Sequence, residues 1–211
     1  MLVFSEQNLA FIAVPKTGTT ALEMALKPWA DITFTKQRKH MTAQRFHRRV
    51  APFLDTQLNL RPERFAVIRD PEEQVRSWYR YRTREALEGD KSSFGMSFDE
   101  FVADVIKDRP PAHAGIGSQY RMLTGRDRVL VHHLFAYEAQ TKLRSFVNER
   151  FGEEIVIKPR NVSPPVDAPL SSEMRERLRA SRAKEYELYD RVMTADGHLV
   201  TEILRRRRRR G

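Results

Sequence analysis

The stretch Leu9-Ala10-Phe11-Ile12-Ala13-Val14 constrains the fold more than any other part of the chain. Six consecutive apolar residues leave no polar face, so a strand here must be covered on both sides, as central strands of parallel α/β sheets are. The strand ends in Pro15-Lys16-Thr17-Gly18-Thr19-Thr20, a small-residue loop, and a helix is predicted over Ala21–Lys27, closed by Pro28 and Trp29. Arg64–Ile68 repeats the pattern as a second buried strand and runs into Arg69-Asp70-Pro71. There Asp70 is placed to cap a helix, with Pro71 at its first position and Glu73 completing a capping box. That helix is predicted to extend to about Leu87.

Further strands are predicted at Leu2–Phe4, Asp31–Thr35, Val129–Tyr137 and Glu154–Lys158. Further helices are predicted at Thr42–Val50, Phe98–Lys107, Gln140–Phe151, Ser171–Met193 and His198–Leu204. Gly89–Ser97, Arg109–Gly117 and the proline-bearing Pro159–Leu170 read as loops. Strands alternating with helices imply an α/β fold with a parallel sheet flanked by helices on both faces. At 211 residues the chain suits one domain, residues 1–204, followed by a polybasic tail, residues 205–211.

No stretch is long and apolar enough to span a bilayer, and the first residues lack the basic lead of a signal peptide. With no cysteine there are no disulfides and no thiolate zinc sites, so a cytoplasmic location is expected. Of the formal net charge of +10, six charges belong to Arg205–Arg210, leaving +4 for the rest. A moderately basic body suits a small polyanionic ligand better than nucleic acid, which is not expected as a partner.

A strand that opens through a small-residue loop into a helix is an anion site, because loop N–H groups converge and the helix dipole favours negative charge. Gly18 permits close backbone approach, Thr17, Thr19 and Thr20 offer hydroxyls, and Lys16 adds a mobile positive charge. The nucleoside-triphosphate version of this loop places its lysine after the last glycine and follows it with a Mg²⁺-binding hydroxyl. Here Lys16 precedes Gly18. That order resembles the 5′-phosphosulfate loop of the sulfotransferases that use 3′-phosphoadenylyl sulfate (PAPS), which runs Pro-Lys-Ser/Thr-Gly-Thr-Thr.

The second motif is similar to the 3′-phosphate-binding motif of the same family: Arg-Asp/Asn-Pro, a serine on the next helix and a tyrosine shortly after, here Arg69, Ser77 and Tyr79 or Tyr81. Arg69 leaves the carboxyl end of its strand, where open α/β sheets bind ligands, and a guanidinium grips phosphate with two prongs. Phe135-Ala136-Tyr137-Glu138 and the segment from Asn161-Val162-Ser163 to Tyr189-Asp190 are similar to the bacterial and carbohydrate-type branch. The resemblance implies a P-loop-like sulfotransferase fold over Leu9 to Asp190. It implies transfer of a sulfuryl group from PAPS to an acceptor hydroxyl, with 3′-phosphoadenosine 5′-phosphate as product and no metal required. The glycine-rich basic loop of the cytosolic branch has no counterpart; Lys158 and Arg160 are the cations offered in its place.

Such a transfer needs a base for the hydroxyl proton and a positive charge at the bridging oxygen. Lys16 suits the second role. His40, in Arg38-Lys39-His40-Met41-Thr42, is the expected base, as a histidine in a comparable segment is in the cytosolic sulfotransferases; Glu23 and Asp70 are the carboxylate alternatives. The acceptor stays open among carbohydrate, lipid headgroup, and small alcohol or phenol. A P-loop kinase or nucleotide hydrolase is the alternative enzyme reading. A third reading is a nucleic-acid or membrane-binding module driven by Arg205–Arg210. In the sulfotransferase reading this run is expected to make weak contact with an anionic inner-membrane surface, on the order of 1 kcal/mol per basic residue.

Overall fold

The computed structural model describes residues 1–84, 89–158 and 167–203. Its centre is a parallel triplet: β2 (Leu9–Ile12) pairs with β4 (Glu63–Ile68), and β4 pairs with β7 (His133–Ala136). The edges run the other way. β1 (Leu2–Phe4) lies antiparallel to β2, β3 (Ile32–Thr33) antiparallel to β1, and β8 (His198–Val200) antiparallel to β7, giving the order β3-β1-β2-β4-β7-β8. The chain is thus α/β with helices against its sheet, but the expected parallel pairing holds only at the centre. The reason is connection length: Ser5–Asn8 joins β1 to β2 in four residues, and a parallel crossover takes a dozen or more.

Alternation along the buried strands divides the core in two. Ala10, Ile12, Ala66, Ile68, Leu134 and Ala136 face one layer, built with Phe46, Leu54, Leu188 and Val192. Leu9, Phe11, Phe65, Val67 and Phe135 face the other, built with Leu22, Leu26, Leu143 and Phe146. The helices on the second face are α1 (Thr19–Leu26) and α7 (Gln140–Phe151), the latter with the bounds its sequence predicts. A third cluster joins α4 (Pro71–Arg82), α5 (Phe98–Val105) and α8 (Ser172–Ser181) through Val75, Tyr79, Phe101 and Leu178.

Several boundaries differ from the expected ones. The helix expected at Thr42–Val50 continues to Leu58, as α2 (Ala43–Arg45), a π turn over Phe46–Val50, and α3 (Ala51–Leu58). Pro52 has no N–H to give the helix ladder, and the wider turn falls just before it. Helix α4 ends at Arg82, and the expected end at Leu87 lies outside the described residues. Ser171–Met193 breaks at Arg182 (φ −114°, ψ 28°) into α8 and α9 (Ala183–Thr194). Val129–Tyr137 divides between a small hairpin, β5 (Thr124–Gly125) with β6 (Arg128–Val129), and β7. Glu154–Lys158 is irregular; Ile155 gives its N–H to the side chain of Asn148 instead of to a strand.

His198–Leu204, expected as a helix, supplies β8. Gly197 turns the chain at φ +77°, its carbonyl takes the N–H of Ala136, and His198 then stacks on Phe135 with ring centroids 4.1 Å apart. A sheet edge captures the segment, and Val200 and Thr201 are residue types that suit one. Among the described residues no helix is long and apolar enough to cross a membrane.

Candidate active site

The loop after β2 and the loop after β4 meet at the carboxyl ends of their parallel strands. Lys16 itself takes a left-handed conformation (φ +66°), and Gly18, the N-cap of α1, follows at φ +73°. No side chain caps α1, and its first turn contains no carboxylate. The helix cannot satisfy its leading N–H groups itself, and no carboxylate of its own first turn competes for them. Gly18 is required by space as well as by conformation: a β-carbon there would sit 3.1 Å from Cε2 of Tyr137.

The three threonines do not act alike. Thr17 is buried, and its hydroxyl donates to the carbonyl of Val14 at 2.9 Å, so it braces the loop instead of presenting a donor. Thr19 is buried at the first position of α1, while Thr20 is half-buried beside it.

Lys16 points across to α4. Its ammonium lies 3.8 Å from the centroid of Tyr81 and 5.1 Å from that of Trp78. Among the described residues it has no hydrogen-bond or ion-pair partner. Burial, then the positive charges of Arg84, Arg82 and Arg69, lower its pKa to about 8. Four cations thus gather around one helix face.

Arg69 is fixed from both sides. Its guanidinium stacks over Tyr137 at 4.6 Å, the ring that also crowds Gly18, and its Nη1 reaches the carbonyl of Lys16 at 3.5 Å. Its backbone is clamped by Gln119, which accepts the Arg69 N–H and donates to the Arg69 carbonyl, both at 2.9 Å. Gln119 is itself buried and donates to the buried Glu185 at 3.2 Å, while Glu185 also accepts from Ser118 at 2.6 Å. Sequence reading missed this clamp, because a glutamine fifty residues from Arg69 carries no local signal.

On α4, Gln74, Ser77, Trp78 and Tyr81 share one face by their three- and four-residue spacing. Gln74 donates to the carbonyl of Pro15 at 3.5 Å, which turns that face toward the Lys16 loop. Ser77, half-buried, lies within it. Of the two tyrosines, Tyr81 faces the site; Tyr79 is buried in the third cluster, donating to the carbonyl of Met96 at 2.7 Å. Among the described residues the buried Nε atoms of Arg69 and Arg82 and the indole N–H of Trp78 have no hydrogen-bond acceptor. Buried polar atoms are seldom left so; Trp78 and Arg82 lie on α4 and Arg69 just before it, while Gln74 Oε1 on the same helix, and Arg64 Nε, Ser93 Oγ and His133 Nε2 elsewhere, are likewise without a hydrogen-bond partner among the described residues. Arg82 and Trp78 are additions to the expected set; their signal is helical spacing, Trp78 four residues after Gln74 and Arg82 four after Trp78.

Asp70 caps α4 as expected, its Oδ1 accepting from Glu73 N at 2.9 Å. The capping box is not closed, because the N–H of Asp70 goes to Glu138 at 3.2 Å and Glu73 turns to Arg76 and Arg69. Burial raises the pKa of Asp70.

His40 belongs to the same neighbourhood. Its Nδ1 lies 2.8 Å from the carbonyl of Ala13, two residues before Pro15. A carbonyl only accepts, so Nδ1 carries the proton and, in the neutral ring, Nε2 keeps its lone pair. The residue as a whole is exposed while its Nδ1 edge is packed, and that one-sided burial pushes its pKa below the ordinary histidine value. Glu23 is instead held between the Met1 amino group and the Lys39 ammonium, each at 2.5 Å. His113 is tied to Asp104 at 2.7 Å, and His132 accepts the N–H of Arg64 at 2.9 Å. Arg160 and the tail Arg205–Arg210 lie outside the described residues, and Lys158 is exposed on the irregular segment after α7.

Among the described residues no three His, Asp or Glu side chains gather as a ligand set for a metal ion. Comparison with protein-family models, curated proteins and solved structures finds no match for this chain.

Proposed function

We propose that the chain is a sulfotransferase that moves a sulfuryl group from PAPS to an acceptor hydroxyl. The observation that carries this reading is the meeting of the uncapped start of α1, the clamped Arg69 and Lys16, which has no ion pair among the described residues, at the carboxyl ends of β2 and β4. In this reading the N–H groups of residues 18–20 and the ammonium of Lys16 hold the 5′-phosphosulfate, and Arg69, with Ser77, holds the 3′-phosphate. The donor hydrogens left over on Arg69, Trp78 and Arg82 are matched by the oxygens of a doubly phosphorylated nucleotide.

The reaction would proceed by in-line displacement. His40 Nε2 takes the acceptor proton as the acceptor oxygen bonds to sulfur. The bond from sulfur to the bridging oxygen breaks, and its electron pair stays on the departing 5′-phosphate of 3′-phosphoadenosine 5′-phosphate. Lys16 offsets the negative charge that grows on that oxygen. Its seat against Tyr81 and Trp78 keeps the ammonium partly desolvated, which strengthens its interaction with an anion.

Sulfur-labelled PAPS added with the purified protein to a lysate lacking it tests the reading. Label should pass to an acceptor with the native chain and not with Lys16→Ala, and EDTA should leave the transfer intact. A melting shift with ATP–Mg²⁺ but none with 3′-phosphoadenosine 5′-phosphate would favour a kinase or nucleotide hydrolase instead.

A further inference from the structure

A concavity lies at the pole of the sheet opposite the candidate site. It is a groove of about 1160 Å³ bounded by the π turn and α3, the β5–β6 hairpin, the end of α9 and residues 201–203 after β8. Its position follows from register: Leu130 and Thr201 adjoin the start of β7, while the loops of the candidate active site leave the ends of β2 and β4.

Five arginines line it, Arg48, Arg49, Arg126, Arg128 and Arg191, and all five are exposed. Among the described residues none makes an ion pair within 4.0 Å. Elsewhere on the surface both arrangements occur: Arg61 pairs with Asp55 and Arg175 with Glu72, while Arg38, Arg45 and Arg144 stand singly without an ion pair among the described residues, so what sets the groove apart is that five such arginines line one concavity. Two carboxylates border the groove, Asp127 and Glu202, and Asp127 is already engaged by Lys184 at 2.8 Å and Tyr120 at 3.0 Å. The five guanidiniums therefore repel one another with little local compensation.

The hairpin tip strengthens the point. Arg126 and Asp127 sit at φ +51° and +57°, the two left-handed positions of a tight hairpin turn that asparagine and glycine fill at lower cost. An arginine held there projects from a rigid two-residue turn.

We infer that this groove binds a linear, base-free polyanion through its phosphate or sulfate groups. Arginine forks fit tetrahedral oxyanions, and arginines on three separate elements suit several such groups along one chain. Among the described residues no Phe, Tyr or Trp lines the groove, so these residues offer no stacking platform of the kind single-stranded nucleic acid uses. The chain's own arginine run carries the same sign of charge as the groove lining, so like charge disfavours it as occupant.

Inorganic polyphosphate is the probe. Titration of the full-length protein should show binding that weakens steeply with salt. Arg48→Gln with Arg126→Gln should lower affinity at least about tenfold, with an unchanged melting temperature because both side chains are exposed. Lys16→Ala should leave polyphosphate affinity unchanged, which separates this groove from the nucleotide cleft. A full-length variant with Arg205→Gln through Arg210→Gln should retain sensitivity to the groove substitutions. Affinity indifferent to those substitutions would overturn the inference. So would tighter binding of an oligo-dT strand or of phosphatidylserine vesicles than of polyphosphate at equal anion concentration.

Discussion

The guanidinium of Arg69 reaches back to the carbonyl of Lys16, Nη1 to O at 3.5 Å, joining two loops that lie 53 residues apart. The same guanidinium rests on Tyr137, whose edge abuts Gly18. One aromatic ring thus sits between the arginine of one motif and the glycine of the other. Parallel pairing of β2 with β4 brings the two loop starts side by side, and the clefts at the carboxyl ends of such strands are where ligands settle.

The clamp on Arg69 gives a first prediction. Gln119→Ala should leave the backbone N–H and carbonyl of Arg69 without partners and take a donor from buried Glu185, costing about 1–3 kcal/mol per unsatisfied buried group. Affinity for 3′-phosphoadenosine 5′-phosphate should fall more than stability alone explains. Calorimetric titration well below the melting temperature separates the two, and an unchanged dissociation constant would show that the clamp does not position the arginine.

Gly18→Ala should be costly at two levels. The left-handed conformation alone costs about 1–2 kcal/mol for a residue with a β-carbon, and that carbon would press on Tyr137 at 3.1 Å. The expected fall in melting temperature is at least about 2–4 °C per kcal/mol for a domain of this size, measured by calorimetry. Nucleotide affinity should drop in parallel, because Tyr137 also supports Arg69.

The pH dependence has two limbs of known sign. Lys16, lowered to about 8 chiefly by burial, is charged at pH 7 and loses its proton as pH rises through that value, so nucleotide affinity should fall up to tenfold per pH unit above it. His40, lowered by burial, is neutral and able to accept a proton above its pKa, so the acid limb of kcat/KM should lie below the usual 6.5. His40→Ala should remove that acid limb, and Lys16→Arg should shift the basic limb upward. A pH–rate profile in which His40→Ala keeps the acid limb would assign the base elsewhere.

How much of this was legible in the sequence follows from the range of each signal. The two loops and the helices behind them are local: an apolar run ending in a glycine-bearing turn is readable from neighbours, as are the Asp70 cap and the bounds of α7. Strand direction at the sheet edges is not local, since β8 exists only because β7 offers an open edge. The same holds for Thr17, whose hydroxyl turns to Val14, and for the open capping box, where Glu138 outcompetes Glu73 for the Asp70 N–H. Trp78 and Arg82 follow Ser77 on α4 at helical spacing, but Gln119 joins the site through tertiary packing, which spacing along the chain does not encode.

The most direct test of the account is equilibrium binding of 3′-phosphoadenosine 5′-phosphate to the native chain, Lys16→Met, Arg69→Gln and the double variant. Two ends of one nucleotide held at two loops predict that each single change weakens binding at least about tenfold. They also predict that Arg69→Gln, but not Lys16→Met, loses the preference for the bisphosphate over adenosine 5′-phosphate. Equal affinity of native chain and double variant, or no discrimination against adenosine 5′-phosphate by the native chain, would contradict it.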